Sequence, residues 1–370
     1  MPTGQTAADF DFTLSTDGNR LVNDDGETVV LNSVNWFGLE TANYAPHGLW
    51  ARGYKDMMDD IVDLGFNSIR LPFSADLFDA KAGAPNGIKF SLNPDLEGKS
   101  GLQIMDAIVD YAGEIGLGVV LDYHWLKAGS SNTSDGLWFD GSTKYSHSAW
   151  INDWKALANR YLDDPAVIGA ELFNEPYGAT WGSGAQKNWQ WASAQAGNAI
   201  HDINPDWLII VNGIQTYQND WYWWGGQLKG VADKGVRLDA ANKLVYSAHD
   251  YPPSLNEQPW YQSPDYPNNL EQIWREHWGY IHEQEIAPIY LSEFGSPMTS
   301  ERDMQWLDEM QDYLSENDMS WAYWSWNANG FPPGVLESDW TTPNATKVDY
   351  LQELMAGTQA PGWTTETSIW

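Results

Sequence analysis

Two carboxylates carry the strongest chemical signal in the sequence: Glu175, in the segment Leu-Phe-Asn-Glu-Pro-Tyr-Gly, and Glu293, in Leu-Ser-Glu-Phe-Gly-Ser. Each ends a run of apolar residues of the kind that forms a buried strand. A pair of buried carboxyl groups in unlike surroundings can divide acid and base work. One stays protonated and donates to a leaving oxygen, while the other stays ionised and attacks carbon or activates water. Cleavage of a glycosidic bond needs that division. Taken singly, each Glu has a plainer explanation, as a helix cap or an Arg partner. The pair together with its neighbours is harder to explain that way.

Those neighbours assign roles. Arg70 is read as the one Arg at a strand tip and Tyr251 as a phenolic donor. Either beside Glu293 would hold it as a carboxylate. Asn174 precedes Glu175 and offers an amide to a sugar 2-hydroxyl, while His124 and His249 sit at tips within reach of either carboxylate or of substrate. Side-chain parity places Glu171 on the same face as Glu175, and Asp122 on the same face as His124, in each case deeper. Glu171 and Asp122 are therefore expected as ion-pair partners in the core rather than as reactants. None of the seven His forms an HxH or HExxH pair, and the chain has no Cys, so no metal is expected, nor any cofactor.

Groups so far apart in sequence need a scaffold that brings them together. Eight apolar runs read as strands: 29–36, 66–73, 118–125, 167–176, 207–213, 243–251, 287–295 and 320–327. Amphipathic helical patterns separate them. Met57, Ile61 and Leu64 run up to Gly65, and Met105, Ile108, Ala112 and Ile115 run up to Gly116, where glycine can take the left-handed cap conformation. Between the fifth and sixth strands helical periodicity is weak, and Trp, Tyr and Gly are abundant. Alternating strands and helices imply a parallel sheet, and eight units close a (β/α)₈ TIM barrel of α/β class, whose chemistry lies at the C-terminal strand ends. No Gly-rich nucleotide fingerprint follows the first strand, which disfavours an open doubly wound sheet. Residues 1–30, with turn signals at Asp17-Gly18 and Asp25-Gly26, read as a short N-terminal β-hairpin. The barrel is expected over 31–360, and the chain over 1–370 as a single catalytic domain.

Composition limits the partners. Fifty-one acidic against 19 basic residues give a net charge of −32, which excludes phosphate-backbone binding and anionic membranes as ordinary partners. Self-repulsion at that density suggests a protein adapted to high salt. No apolar run is long enough to span a bilayer. The N-terminal MPTGQTAADF has neither the basic nor the apolar region of an export signal, so a signal is either absent or trimmed. The 23 Trp supply flat apolar faces of the kind that stack on pyranose rings. Trp36, Trp224 and Trp326 are placed on or just beyond strand tips, and Trp125, Trp138, Trp181, Trp223 and Trp260 in the loops above. Trp154, Trp274, Trp278 and Trp306 are expected in the core.

The segments NWFGLE, SIRLPFS, LDYHW, LFNEPYG, YSAHDY, LSEFGSP and WSWNANG, in this order over about residues 30 to 330, resemble glycoside hydrolase family 5. The stretches HGLWARGYKDM, YWWGGQL and FPPGVLESDW are most similar to its bacterial endo-β-1,4-glucanases. The resemblance implies a retaining cellulase with Glu175 as acid/base and Glu293 as nucleophile. It further implies that Arg70, His124, Asn174, His249, Tyr251 and Trp326 surround the cleaved bond, with Trp36 and Trp224 as stacking platforms for outlying glucose units. Its substrate would be a β-1,4-linked polysaccharide, acted on outside the cell by a monomer. A β-mannanase, a mixed-linkage glucanase and a non-catalytic carbohydrate-binding barrel are the alternatives. The family pattern places cysteines near positions 42 and 128, where this chain has Ala42 and Ala128.

Overall fold

The computed structural model describes residues 13–79, 83–129 and 136–357. Residues 1–12 of the expected N-terminal hairpin, the end of the expected barrel range, 358–360, and the remainder of the expected domain to 370 lie outside the described residues. Eight parallel strands close a barrel: β4 (Asn32–Asn35), β5 (Ser68–Ser74), β6 (Gly118–Trp125), β7 (Val167–Glu171), β8 (Leu208–Asn212), β11 (Leu244–Asp250), β12 (Ile289–Phe294) and β13 (Ser320–Tyr323), the last pairing with the first. Each falls within or across one of the eight expected runs. The observed strands are shorter where the run continued into a loop, most of all after Glu171 and after Tyr323.

Local chemistry sets the helix ends. The helix Gly101–Ile115 begins with a capping box between Ser100 and Gln103 and stops at Gly116, whose φ of 76° is the left-handed conformation that glycine takes without strain. Helix Tyr54–Asp63 buries Met57, Met58 and Ile61 against the barrel. Helices His147–Arg160, Trp189–His201 and Glu301–Glu316 complete much of the outer layer, together with a helical run over 270–283 and Ala345–Gly357. Between the fifth and sixth barrel strands, the region of weak periodicity forms a two-stranded ribbon, β9 (Thr216–Tyr217) and β10 (Asp220–Trp221), followed by a single helical turn, Gly230–Asp233.

The N-terminal element is larger than a hairpin. Strands β1 (Ser15–Asp17), β2 (Arg20–Val22) and β3 (Thr28–Val29) form a three-stranded antiparallel sheet. The second turn signal, Asp25-Gly26, reverses the chain a second time where a lone hairpin would have ended. Leu14, Leu21, Val29 and Leu31 cluster with Val120, Ile168, Leu208, Ile210, Val245, Tyr290 and Ala322, which point inward from the barrel strands. This sheet thus stoppers the end of the barrel opposite the C-terminal strand tips. Removing a fully buried Leu side chain leaves a cavity as well as losing its transfer energy. Leu21→Ala is therefore expected to cost about 2–4 kcal/mol in urea unfolding, with activity retained in the folded fraction.

Candidate active site

The centre of the site is Arg70, fully buried. It is not at a strand tip, as expected from sequence, but in the middle of β5, opposite Asn35 and Val120. Its length carries the guanidinium up to the level of the carboxylates. There Nε donates to Glu171, Nη1 to Asn35 Oδ1 at 2.9 Å and Glu293 Oε1 at 2.8 Å, and Nη2 to Asn174 Oδ1 at 2.8 Å. Asp122 Oδ2 lies 3.1 Å from Nη2. Glu171 and Asp122 are thus the deep ion-pair partners that parity implied. A guanidinium can serve so many acceptors because its donors form a rigid fork.

Glu293, on β12, also accepts from the Tyr251 hydroxyl at 2.8 Å. Glu175 lies in the turn beyond β7 with a left-handed φ of 45°, an uncommon conformation for a residue with a side chain. Its backbone N–H donates to Asn212 Oδ1 at 2.9 Å, which fixes the turn. His249 on β11 stands between the two, its Nδ1 being 3.0 Å from Glu175 Oε1 and 3.5 Å from Glu293 Oε2. Carboxylate oxygens of Glu175 and Glu293 and a ring nitrogen of His249 all fall within 4.8 Å of one another. Three such donors could ligate a cation, but the Arg70 guanidinium already neutralises Glu293 at hydrogen-bond distance and opposes a second positive charge there.

The two carboxyls differ in their surroundings. Burial pushes Glu175 well above the usual carboxylate range, and repulsion from Glu293 pushes it further. Burial also raises Glu293, but the Arg70 guanidinium, His124 and the Tyr251 hydroxyl all oppose the rise. When one proton is shared between them it therefore rests on Glu175. Burial lowers His249 well below its ordinary value, aided by the charge of Arg70. Burial likewise lowers His124 to about 3 and raises Asp122 to about 7. Both imidazoles are neutral near neutrality.

Above this pair opens a cleft of about 390 Å³ lined by His124, Asn174, Glu175, Tyr251 and Glu293, with Trp221, Trp223, Trp224, Trp324 and Phe331 among its aromatic walls. Trp224 stacks on Tyr177 at 4.7 Å. Two expected stacking residues are elsewhere. Trp36 is fully buried, its indole N–H donating to His47 O. Because Asn35 faces the barrel interior, its neighbour must face the helix layer. Trp326 is also fully buried, and Trp324 takes the cleft position, stacked on His124 (5.7 Å) and Phe37 (5.3 Å). Strand β13 stops at Tyr323, so counting along an extended strand to residue 326 misplaces the ring. Of the loop tryptophans, Trp223 lines the cleft, whereas Trp138 and Trp181 are core, as are Trp154, Trp274, Trp278 and Trp306. Sequence reasoning passed over Trp221, Gln215, Leu255, Asn256 and Phe331, which converge only through loop geometry.

The loop bearing Trp221, Trp223 and Trp224 is held tightly against the site. Gly213 N–H donates to Gly225 O at 2.8 Å. Gly225 has a φ of 74°, and a Cβ there would fall 2.4 Å from Asn212 Oδ1 and 3.1 Å from the His249 ring. Only glycine lets the loop approach the two residues that support Glu175.

A barrel with an unlike carboxyl pair at the C-terminal strand ends and an aromatic cleft above is the architecture of a glycoside hydrolase. The family model for "Cellulase (glycosyl hydrolase family 5)" matches residues 22–330, and the chain belongs to that family. It is 44% identical over 362 residues to an endoglucanase of Paenibacillus polymyxa, covering 96% of this chain and 90% of that one. It is 37% identical over 364 residues to the major extracellular endoglucanase of Xanthomonas campestris pv. campestris, covering 95% and 73%. A cellotetraose complex of an endocellulase from Pyrococcus horikoshii superposes with a TM-score of 0.85 at 36% identity, covering 93% of this chain and 99% of that one.

Arg70 generates a prediction. Arg70→Met leaves Glu171, Asp122 and Glu293 buried without their counter-charge, and is expected to cost about 3–5 kcal/mol in urea unfolding.

Proposed function

We infer that the protein is a retaining endo-β-1,4-glucanase in which Glu175 is the acid/base and Glu293 the nucleophile. The observation that carries this reading is the carboxylate pair itself. One oxygen of each group lies within 4.8 Å of one of the other's, and the pair's partners keep a proton on Glu175 and negative charge on Glu293. That spacing suits retention, in which the groups stand roughly 5–5.5 Å apart, rather than the roughly 6.5–9.5 Å that leaves room for an intervening water.

In the first step a Glu293 oxygen bonds to the anomeric carbon as its bond to the glycosidic oxygen breaks, and the Glu175 proton passes to that oxygen. In the second, water bonds to the anomeric carbon, its proton returns to Glu175, and the bond to Glu293 breaks. Arg70 and Tyr251 hold the nucleophile ionised and aimed. With Asn174 Oδ1 taken by Arg70 and its Nδ2 3.4 Å from His124 Nε2, one amide hydrogen is left to face a sugar hydroxyl. Trp224, Trp223 and Trp324 offer ring faces to glucose units on either side of the scissile bond.

A polymer is cut where it lies, so we place the enzyme outside the cell, acting as a monomer without nucleic acid or membrane partners. Among the described residues no helix is long and apolar enough to cross a membrane. The net charge of −32, with Asp24, Asp25, Asp56, Asp59 and Asp63 exposed, supports adaptation to concentrated salt.

The test is wild type beside Glu293→Gln on carboxymethylcellulose, barley glucan and glucomannan, with proton NMR of the first anomer released. We expect the β-anomer first from the cellulose substrate and no turnover by the variant; an α-anomer first would overturn the retaining mechanism, and glucomannan cleaved in preference would move the substrate to mannan. Glu175→Gln should lose about 10²–10⁴-fold on polysaccharide while still forming the glycosyl-enzyme from a dinitrophenyl cellobioside, whose leaving group needs no proton. The pH profile follows from the same assignments. Activity falls at low pH as Glu293 takes a proton, and at high pH as Glu175 loses one, the second limb lying above the ordinary carboxyl range. Melting temperature should rise between about 0.1 and 1 M NaCl as repulsion is screened; a flat or falling curve would remove salt adaptation.

A further inference from the structure

His249 faces two demands at once. Its Nδ1 looks up at Glu175 and Glu293, and its Nε2 looks down at Ser292 Oγ, 3.0 Å away. A neutral ring has one N–H and one lone pair, so the floor and the carboxylates cannot both be served by the same type of atom.

The floor settles which nitrogen holds the proton. Ser292 Oγ donates to Glu171 Oε1 at 2.8 Å, and a hydroxyl has only one hydrogen to give. Asn212 Nδ2 is 3.3 Å from Nε2, but its two hydrogens are spent on Glu171 Oε1 at 2.7 Å and Ser247 Oγ at 2.6 Å. Ser247 Oγ in turn donates to Glu171 Oε1 at 2.7 Å. Every donor beneath the ring is thus committed to one carboxylate, which Arg70 holds from the other side. A bare Nε2 would find no donor, whereas an Nε2–H finds the free lone pair of Ser292. The same arrangement leaves Nδ1 as an acceptor 3.0 Å from Glu175 Oε1.

We propose that Ser292, anchored by Glu171, is a positioning residue that locks His249 in the Nε2–H tautomer, so that its Nδ1 lone pair keeps the catalytic proton on Glu175. The proposal rests on the reading of Glu175 as the acid/base. It adds a use in both half-reactions. Before cleavage, the lone pair accepts from the Glu175 carboxyl. After the proton has gone to the departing sugar oxygen, lone pairs of Nδ1 and the Glu175 carboxylate face each other, which raises the basicity of Glu175 for taking a proton from water. Besides Glu175, the charged or titratable groups acting on the ring among the described residues are Glu293 from β12, Arg70 from β5 and His124 from β6, with Glu171 from β7 behind Ser292 and Asn212 and Tyr251 behind Glu293. Of these, Glu293 would favour the opposite tautomer, since an Nδ1–H could donate to it at 3.5 Å. Holding the ring against that pull is the work of the serine.

The test begins on the unmodified protein. In ¹⁵N-histidine-labelled protein, long-range ¹⁵N–¹H spectra, with the His249 signals assigned by their loss in His249→Gln, should show Nε2 protonated and Nδ1 bare. In Ser292→Ala the ring should shift toward Nδ1–H, and the basic limb of kcat/KM on cellopentaose should move down by about one pH unit, a roughly tenfold loss above that limb. The acid limb should stay in place, and Ser292→Thr should restore both tautomer and limb. An Nδ1–H tautomer in the wild type overturns the proposal without need of any variant. A tautomer that changes in Ser292→Ala while the basic limb stays put also overturns it, by breaking the link to Glu175. Glu175→Gln in the same assay then separates the causes: if it removes the basic limb, the acid/base reading stands and only the lock has failed.

Discussion

A single buried guanidinium sets the terms for this active site. Arg70 has no exposed surface, and its donors reach Asn35, Glu171, Asn174 and Glu293 on or just beyond three other strands, with Asp122 on a fourth. A buried charge is costly unless it is paired and fully hydrogen-bonded, and here nearly every donor is committed. Three carboxylates around one Arg make the cluster net negative, which adds to burial in raising the Glu175 carboxyl beside it. The site can therefore keep a proton on Glu175 and charge on Glu293 a few ångströms away, because of these two only Glu293 touches the guanidinium.

The layers of the barrel follow from that arrangement. At the bottom, the N-terminal sheet and inward-facing apolar side chains make an apolar plug. In the middle, Glu171, Ser247, Ser292 and Asn212 form a closed polar layer whose donors and acceptors match. At the top stand Glu175, His249 and Glu293, the groups to which we assign the chemistry. A fully satisfied polar layer is rigid, since no member can turn without orphaning another. The strained φ of Glu175 is stable in this setting because Asn212, itself part of the layer, holds its backbone N–H.

Much of this was legible in the sequence, for identifiable reasons. Strand runs and helix caps depend on residues close in sequence, so the eight strands and the Gly116 stop could be read directly. The glutamate pair could be read because strand tips converge in a closed barrel whatever the loops do. Trp36 and Trp326 were misplaced because their side-chain directions depend on where a strand stops and which face its last residue takes. Alternation past Asn35 turns Trp36 outward, and the end of β13 at Tyr323 hands the cleft position to Trp324. Arg70 was assigned to a tip because its role is at the tip, although its backbone is mid-strand; side-chain length made up the difference. Trp221, Gln215 and Phe331 gave no local signal, since loops from two different places bring them together.

The glycine contact beside Asn212 bears on how such an enzyme can change its diet. The cleft has two aromatic sides of different kinds. Trp324 stands on His124 and Phe37, rings that are packed from above the polar layer. The Trp221–Trp224 loop instead rests its Gly225 backbone against Asn212 and His249. Any insertion or bulky replacement that reshapes this second side presses on the residues that hold the acid. New polymers are therefore accommodated more easily by remodelling the Trp324 side, and divergence within this architecture is steered toward one half of its cleft.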